Sequence, residues 1–281
     1  MIDKKYLLIC VLTIPTLLLS SQSDSSFVKN EKVEFTFLGT RLVNGQSTEI
    51  AGKGELNFMI NHRFGLIRSG LYEFWGLDQA EIRLGLDYGI TDFLAVGFGR
   101  NSFQKTYDLK IKYKILSQYK DGFPITVTGF SGFYYNTTKD IFPKEKDNLG
   151  GRTSYLNQIL ISHKFSQRFS ILSSAGWLHE SYNLLLNKSH DYLVFGGGGR
   201  IKILKRLHFT IEYYHIENKH ENTVNPLSLG LEIDTGGHLF QLNFSNSQAT
   251  FSKSLLADTV LKWKEDNVFF GFNLIRTFYI N

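Results

Sequence analysis

The last residues of the chain alternate between two kinds of side chain, and this alternation constrains the fold more than any other feature. The two sets are Phe270, Phe272, Leu274, Phe278 and Ile280 on one side, and Gly271, Asn273, Ile275, Thr277 and Tyr279 on the other. A period of two places the sets on opposite faces of a β-strand. A terminal strand with one apolar, aromatic face and one mixed, polar face is typical of a barrel that closes in a bacterial outer membrane. We therefore expect the apolar face to contact lipid and the polar face to line the interior.

The same alternation recurs along the chain from about residue 53. In the clearest case, nine consecutive residues from Tyr107 to Ile115 switch between apolar and charged side chains. Twelve strands are predicted, at 53–64, 80–88, 92–100, 107–115, 123–133, 154–165, 168–179, 191–203, 207–215, 226–235, 237–246 and 267–280. The segment 123–133 alternates poorly, and 237–246 is short.

Tight and long connections alternate between these strands. The tight turns are 89–92, 117–122, 166–168, 204–206 and 235–237. The other connections are 65–78, 134–153, 180–190, 216–225 and 247–266, with a short one at 101–105. Outer-membrane barrels have short periplasmic turns and longer external loops. The sequence therefore predicts an all-β, antiparallel transmembrane β-barrel of about 12 strands with both termini in the periplasm.

A soluble β-sandwich is the alternative fold, because its strands also alternate and bury an apolar face. However, many of the predicted strands reach the ~9–11 residues that cross a bilayer at a tilt. Aromatic residues also gather at the strand ends, where they would form girdles at the two membrane interfaces. Both features favour the membrane barrel.

The N-terminal residues are typical of a secretory signal. Lys4 and Lys5 precede an apolar stretch at 6–19, and small residues suited to cleavage follow up to Ser23. The predicted organisation is a signal peptide at 1–23, a polar arm or plug at 24–52, and the outer-membrane barrel at 53–281. The arm either remains in the periplasm or enters the lumen, and the sequence leaves both alternatives open.

Composition excludes several other classes of protein. A mean hydropathy of −0.14, without an apolar run of ~20 residues, excludes a helical membrane protein. A net charge of +5, scattered along the chain, is too small to favour nucleic acid as a partner. The only cysteine, Cys10, lies in the predicted signal. We therefore expect no disulfide, thiolate chemistry or haem attachment in the mature chain, and no cofactor.

The polar phase of the predicted strands defines a candidate lumen lining. Its members are Arg63, Glu81, Arg83, Asp87, Lys110, Lys112, Lys114, Lys164, Arg200, Lys202, Glu212, Glu232, Asp234, Asn243 and Asn273. A charge on the lipid face costs about 2–4 kcal/mol near the membrane midplane. The confinement of charges to one phase therefore supports the assignment of that phase to the interior.

Two arrangements of these charges are open. The three lysines of the fourth predicted strand lie opposite the two acids of the tenth in a twelve-stranded wall, which would create a transverse field favouring polar or zwitterionic solutes. Alternatively, neighbouring strands pair their charges, for example Arg200 and Lys202 with Glu212. Local pairing is the favoured interpretation, because an unpaired charge in a narrow lumen is costly.

No catalytic or metal site is predicted. Ser162 and His163 are adjacent in a strand, so their side chains point to opposite faces. Four other histidines do not have the spacing to nearby carboxylates that metal ligands need: His208, His215, His220 and His238. The glycines 196–199 lack the Lys-Ser/Thr of a phosphate loop and are interpreted as sites of curvature or close approach.

Several motifs carry a resemblance to a known family. They are Thr40–Ser47 (TRLVNGQS), Gly76–Arg83 (GLDQAEIR), Tyr88–Asp92 (YGITD), Asp147–Arg152 (DNLGGR), Pro226–Gly230 (PLSLG), Asp234–His238 (DTGGH) and Phe244–Ser247 (FSNS). With these motifs the chain resembles, from about Thr40 to Asn281, an uncharacterised family of Gram-negative outer-membrane β-barrels, a domain of unknown function. The resemblance implies an outer-membrane location and a barrel of this size, and it implies no activity.

The leading functional prediction is a narrow, porin-like pore or channel-like transporter for small polar solutes, and it depends on the charged inward face. The alternative is a plugged barrel that serves as a structural or docking component of an envelope complex, for which the mixed-charge loop at 139–152 and the polar arm are the evidence. An outer-membrane acyl hydrolase is the third hypothesis, although the protein is predicted not to be an enzyme. Expected partners are outer-membrane lipid, the barrel-assembly machinery during biogenesis and a small polar solute.

Overall fold

The computed structural model describes residues 31–280, and within them twelve antiparallel strands form a closed barrel. The strands are β1 Glu55–Leu66, β2 Ala80–Gly89, β3 Leu94–Asn101, β4 Thr106–Leu116, β5 Thr126–Asn136, β6 Thr153–Lys164, β7 Phe169–Asn183, β8 Lys188–Lys202, β9 Leu207–Glu217, β10 Leu227–Asp234, β11 His238–Ser245 and β12 Phe269–Tyr279. Each strand pairs with its neighbours in sequence. The predicted fold class is confirmed, whereas the predicted signal peptide lies outside the described residues.

The barrel closes between its first and last strands. The β1–β12 ladder runs in continuous register from Glu55 opposite Tyr279 to Arg63 opposite Gly271, followed by a β-bulge. Between these two strands, the side-chain amide of Asn61 donates from Nδ2 to Oδ1 of Asn273 at 2.8 Å. The alternating C-terminal segment is therefore the closing strand, as predicted.

The two ends of the barrel differ. One end, here called the turn end, has the tight connections and the start and finish of the barrel, where the Ile280 amide donates to the Gly54 carbonyl at 2.8 Å. The opposite loop end has the longer connections, which contain short 3-10 segments and one α-helix. They are Ile67–Gly76, Phe103–Lys105, Lys144–Lys146, Trp263–Glu265 and the helix α1 Ser252–Ala257.

The predicted boundaries are least accurate in the β7–β8 hairpin. Residues 180–190 are predicted as a loop, but β7 continues to Asn183 and β8 begins at Lys188. Polar residues carry this extension, since Glu180 lies opposite His190 and Asn183 lies opposite Lys188. Apolar alternation ends where the outer face ceases to be apolar, whereas backbone pairing continues, so the pattern underestimates the strand length.

The outward face is apolar. Large side chains such as Leu84, Leu109, Ile159 and Leu193 are about half exposed around the wall. Within residues 31–280, no helix has the length and apolar character needed to cross a membrane.

The inward face divides into a polar and an apolar part, and the expectation of a polar interior is wrong for the second part. From β5 to β9 the inward positions include large apolar or aromatic side chains. They are Phe130, Tyr134, Leu156, Leu160, Leu172, Leu178, Tyr192, Val194, Tyr214 and Ile216. These residues are buried because two other segments of the chain fill the lumen and cover them.

Candidate functional site in the barrel lumen

The first of these segments is the stretch 36–52, here called the arm. It lies next to the turn end, where the Gly54 amide donates to the Gly89 carbonyl at 2.9 Å, and its tip is a hairpin at 40–47. In the hairpin, the Ser47 amide donates to the Thr40 carbonyl and the Leu42 amide to the Gly45 carbonyl, both at 3.1 Å. Thr40 to Thr48 are all buried. Of the two alternatives for the arm, the structure has the one in which it enters the lumen.

Two charged wall residues bind the main chain of the arm. The Glu212 carboxylate on β9 accepts from the amides of Val43, Asn44 and Gly45 at distances of 2.8–3.2 Å. The Lys112 ammonium on β4 donates to three arm carbonyls, of Thr40, Ser47 and Glu49, at 2.9, 2.7 and 2.6 Å respectively. Hydrogen bonds to ionised groups are the stronger ones, so these two residues are the main attachment points of the arm.

Neutral wall side chains complete the attachment. Asn273 on β12 donates to the Val43 carbonyl at 2.9 Å, and Gln241 on β11 donates to the Leu42 carbonyl at 3.2 Å. Thr128 on β5 donates to the Thr48 carbonyl at 2.9 Å. The arm is therefore held from several directions around the wall.

Glycines provide the space for the hairpin. A Cβ atom on Gly198 would lie 2.4 Å from Cδ2 of Leu42, and one on Gly45 would lie 1.7 Å from the Tyr214 hydroxyl. Gly198 belongs to the glycine run at 196–199, so at this position the run permits close approach of the arm to the wall. Gly45 has the same effect from the side of the arm.

The second segment, here called the inserted loop, comprises residues 247–259 between β11 and β12. Its helix α1 is buried along its whole length. Phe251, Leu255 and Leu256 pack against the apolar part of the wall. The loop therefore fills its part of the lumen mainly through apolar packing, and Leu42 and Val43 of the arm join the same apolar cluster in addition to the arm's polar contacts.

A buried cation anchors the inserted loop. The Lys253 ammonium lies 3.0 Å from the Asp258 carboxylate and 2.7 Å from that of Glu180 on β7. Burial alone would lower the pKa of Lys253, but Asp258 and Glu180 outweigh it and raise the pKa above the ordinary lysine value. Lys253 is therefore positively charged at neutral pH.

The arm and the inserted loop meet inside the barrel. Arg41 donates from Nη1 to the Thr250 carbonyl at 2.8 Å, and Gln46 donates to the Ser252 hydroxyl at 3.1 Å. Burial lowers the pKa of Arg41 to about 10, so its guanidinium is charged at neutral pH. Beside the loop, a cavity of about 240 Å³ remains at the loop end, lined by residues that include Arg152, Glu180 and Lys253.

The structure places ten of the fifteen candidate lumen residues in buried positions. They are Arg63, Arg83, Asp87, Lys110, Lys112, Arg200, Glu212, Glu232, Asn243 and Asn273. The other five, Glu81, Lys114, Lys164, Lys202 and Asp234, are partly exposed. Three of the candidates, Lys112, Glu212 and Asn273, are hydrogen-bonded to the main chain of the arm. Asn44 of the arm is also hydrogen-bonded to Arg63, which in turn contacts Asn243.

Ion pairs form locally and cross one strand. Arg83 of β2 lies 2.6 Å from Asp108 of β4, and Lys110 of β4 lies 2.8 Å from Asp87 of β2. Both pairs pass over β3, where two of the inward residues are the glycines Gly97 and Gly99. A Cβ on Gly97 would lie 2.4 Å from Oδ1 of Asp87. The glycines of β3 thus allow charges on non-adjacent strands to meet.

Two details of the predicted charge arrangement are wrong. Glu212 does not pair with Arg200 or Lys202 within the described residues, because its carboxylate is occupied by the amides of the arm. The lysines of β4 do not face the acids of β10 as free charges either. Lys110 pairs with Asp87, and Lys112 binds the carbonyls of the arm.

Part of the wall remains unsatisfied while the arm is in place. Within residues 31–280, five buried side-chain atoms on β7–β10 have no hydrogen-bond partner: Ser170 Oγ, Arg200 Nε, His208 Nδ1, Thr210 Oγ1 and Glu232 Oε2. The strand register makes them neighbours, since Arg200 lies opposite both Ser170 and Thr210, and His208 lies opposite Glu232. Two of these side chains are hydrogen-bonded through other atoms, since Arg200 donates from Nη2 to the Phe35 carbonyl and Glu232 accepts at Oε1 from Gln241. This sector of the wall therefore has polar atoms that neither the arm nor the inserted loop uses.

Candidates for catalysis are separated by the structure. Ser162 points inward and shares a 2.7 Å hydrogen bond with Thr48, whereas the ring of His163 contacts the Pro124 carbonyl. Among residues 31–280, no group of three or more His, Cys, Asp or Glu side chains is placed to hold a metal ion.

Comparison with known proteins places the chain in a family. Residues 37–278 match the model described as "Membrane bound beta barrel domain (DUF5777)". The chain belongs to this family. The resemblance inferred from the motifs is confirmed, and the protein is a membrane-bound barrel. No functionally curated protein matches the sequence.

Solved structures are similar to this chain at low sequence identity. The NanC porin is 11% identical, with a TM-score of 0.51 over 80% of this chain and 100% of that chain. The KdgM porin is 7% identical, with a TM-score of 0.47 over 80% and 99% of the two chains. The COG4313 outer membrane channel from Pseudomonas putida F1 is 10% identical, with a TM-score of 0.48 over 82% and 97%. The likeness to the NanC porin supports the barrel fold and nothing finer.

Proposed function

We propose that the protein is an outer-membrane channel for small polar solutes and that the structure is its closed conformation. One observation carries the proposal: the arm fills the lumen through polar contacts to a charged wall, including those to Glu212 and Lys112. The NanC protein, which shares this fold, is a porin. As part of this proposal, the turn end and the arm face the periplasm, because outer-membrane barrels have their short turns on that side. Outer-membrane lipid covers the apolar outer face.

The arm is the segment that moves. Most of its polar contacts are hydrogen bonds that water replaces on release; each contributes about 0.5–1.5 kcal/mol between neutral groups and about 1.5–3 kcal/mol to a charged group such as Lys112 or Glu212. Release also exposes the apolar side chains of Leu42 and Val43, which adds to its cost. Withdrawal also frees space beside the five side-chain atoms on β7–β10 that have no protein hydrogen-bond partner among the described residues. The inserted loop is held by the apolar cluster around Phe251 and Leu255, so it remains in place and forms the constriction of the open channel.

A second function is favoured by that apolar cluster. Seventeen buried residues, from the wall, the arm and the inserted loop, form one continuous core across the lumen. Such a core would suit a permanently plugged barrel that acts as a structural or docking component of an envelope complex. The two functions differ in whether release of the arm opens a path for ions.

Conductance of the purified full-length chain in planar bilayers distinguishes them. Gly45→Val prevents docking of the arm, because a Cβ there would lie 1.7 Å from the Tyr214 hydroxyl, and it leaves the wall unchanged. Gly237→Val is the matched control, since a Cβ at that turn meets no atom within 4 Å. We expect the wild type and the control to be closed for most of the time, and Gly45→Val to conduct steadily. A folded Gly45→Val protein that leaves the bilayer sealed would refute the channel and favour the plugged barrel.

A further inference from the structure

We infer that the lumen wall is a binding site for peptide main chain, occupied in this structure by the chain's own residues 40–49, and that the solutes of the channel are short peptides. The part that concerns transport rests on the proposed function and names its solute class. The part that concerns binding stands on the contacts of the arm alone.

The wall recognises the arm mainly through groups that every peptide possesses. Wall side chains bind nine main-chain groups, namely the amides of Val43, Asn44 and Gly45 and the carbonyls of Thr40, Leu42, Val43, Ser47, Thr48 and Glu49. Wall contacts to polar side chains of the same stretch are fewer and involve Thr40, Asn44, Thr48 and Glu49, whose carboxylate lies 3.8 Å from the Lys114 ammonium. Recognition of main chain is largely independent of sequence, so it is not restricted to the arm.

The signs of the wall charges also suit a free peptide. Glu212 accepts three amide N–H groups, and a carboxylate in that position equally suits the α-ammonium group of a short peptide. Lys112 donates to three carbonyl oxygens, and it equally suits an α-carboxylate. A neutral saccharide offers no charged group to either residue, which is why we favour peptides over sugars.

The wall has room for side chains of moderate size. Leu42 lies over Gly198, where a Cβ would approach its Cδ2 to 2.4 Å. Val43 lies over Gly230, where a Cβ would approach Cγ2 of the valine to 3.3 Å. These two glycines leave shallow depressions between the polar groups, and each accepts an aliphatic side chain of an extended or turned peptide.

The binding experiment uses the full-length Gly45→Val chain, in which the wall is intact and the arm is displaced. The probe is a fluorescently labelled synthetic peptide of residues 38–50, followed by anisotropy in detergent micelles. We expect it to bind Gly45→Val at least about tenfold more tightly than the wild type, whose own arm competes. The same peptide carrying the Gly45→Val change, and a Glu212→Gln wall, should each weaken binding about tenfold.

Solute class is tested by competition against this probe. Unlabelled peptides of a few residues and unrelated sequence should displace it and reduce the ion current of Gly45→Val. A neutral oligosaccharide of equal mass should do neither. Equal displacement by the oligosaccharide, or none by the short peptides, overturns the inference.

The outcomes separate this inference from the channel itself. A Gly45→Val protein that conducts with a current insensitive to peptides retains the channel and refutes the solute class. One that binds the peptides but never conducts retains the binding site and refutes the channel. If Gly45→Val does not fold, a second variant replaces it: the wild-type chain with a protease site inserted after the exposed Lys53. Cleavage of the folded protein at this site separates the arm from the barrel, and the same binding and conductance measurements then test both proposals.

Discussion

Replacing Lys112 by Met tests how the arm is held. The lysine is 3% exposed, and its ammonium donates to the carbonyls of Thr40, Ser47 and Glu49 at 2.9, 2.7 and 2.6 Å. Methionine keeps a long unbranched side chain and removes the charge and all three donors. The barrel ladders of β4 do not depend on this side chain, so the change acts on the arm.

The magnitude follows from these contacts. A hydrogen bond to a charged group contributes about 1.5–3 kcal/mol. The three bonds share one ammonium whose burial is itself costly, so we count them together as about 3 kcal/mol rather than as a sum. At 1.4 kcal/mol for each factor of ten, the ratio of docked to released arm should fall roughly 100-fold.

Hydrogen–deuterium exchange of residues 40–49 measures this ratio, because their amides exchange when the arm leaves the wall. Lys112→Met should exchange roughly 100-fold faster than the wild type. Lys114→Met is the matched control: it is the next inward position on β4, partly exposed, and 3.8 Å from the Glu49 carboxylate. A partly exposed pair contributes about 0–1 kcal/mol, so its effect should stay below about fivefold. Equal exchange in the two variants would refute the view that Lys112 anchors the arm.

Three further outcomes are expected. Glu212→Gln keeps a neutral acceptor for the amides of the arm, so exchange of Val43 to Gly45 should rise about tenfold, less than in Lys112→Met; an unchanged rate would contradict the role of the carboxylate. Gly97→Val should separate Lys110 from Asp87 and destabilise the barrel by about 3 kcal/mol in urea unfolding, with Gly237→Val as the neutral control. Because the pKa of Lys253 is raised, its contribution to docking of the inserted loop is complete below about pH 10.4 and is lost only as pH rises through the higher folded value. Protease protection of residues 247–259 should therefore be constant from about pH 6 to 9, and a loss within that range would contradict the ion pairs.

Strand positions were predictable where polar inward residues alternate with apolar residues that face lipid. β4 alternates at every step because its inward charges pair or bind the arm while its outward residues meet lipid. β5 was poorly predicted because its inward positions include Phe130 and Tyr134, which pack on other buried residues rather than on water. A barrel whose interior is partly a hydrophobic core loses the difference between its two faces, and the period-two signal weakens there.

The filling of the lumen was only partly predictable. Leu42 and Val43 beside the turn-forming Asn44-Gly45 are unusual in a solvated arm, and this was the available signal that the arm is buried. Likewise, Phe251, Leu255 and Leu256 have helical spacing within the longest connection, which is unusual for an external loop. The binding of main chain by Glu212 and Lys112 had no local signal, because it joins residues more than sixty positions apart.

The glycines of β3 have a mechanical consequence for the wall. Ion pairs that pass over Gly97 and Gly99 tie β2 to β4 independently of the backbone ladders, so these three strands resist shear and bending as a single stiff panel. Among the described residues of β7–β10, no ion pair ties non-adjacent strands in this way, since His179–Asp191 joins two adjacent strands and Glu180 binds Lys253 of the inserted loop. Thermal deformation of the barrel cross-section should therefore concentrate in β7–β10, and the lumen should widen on that side.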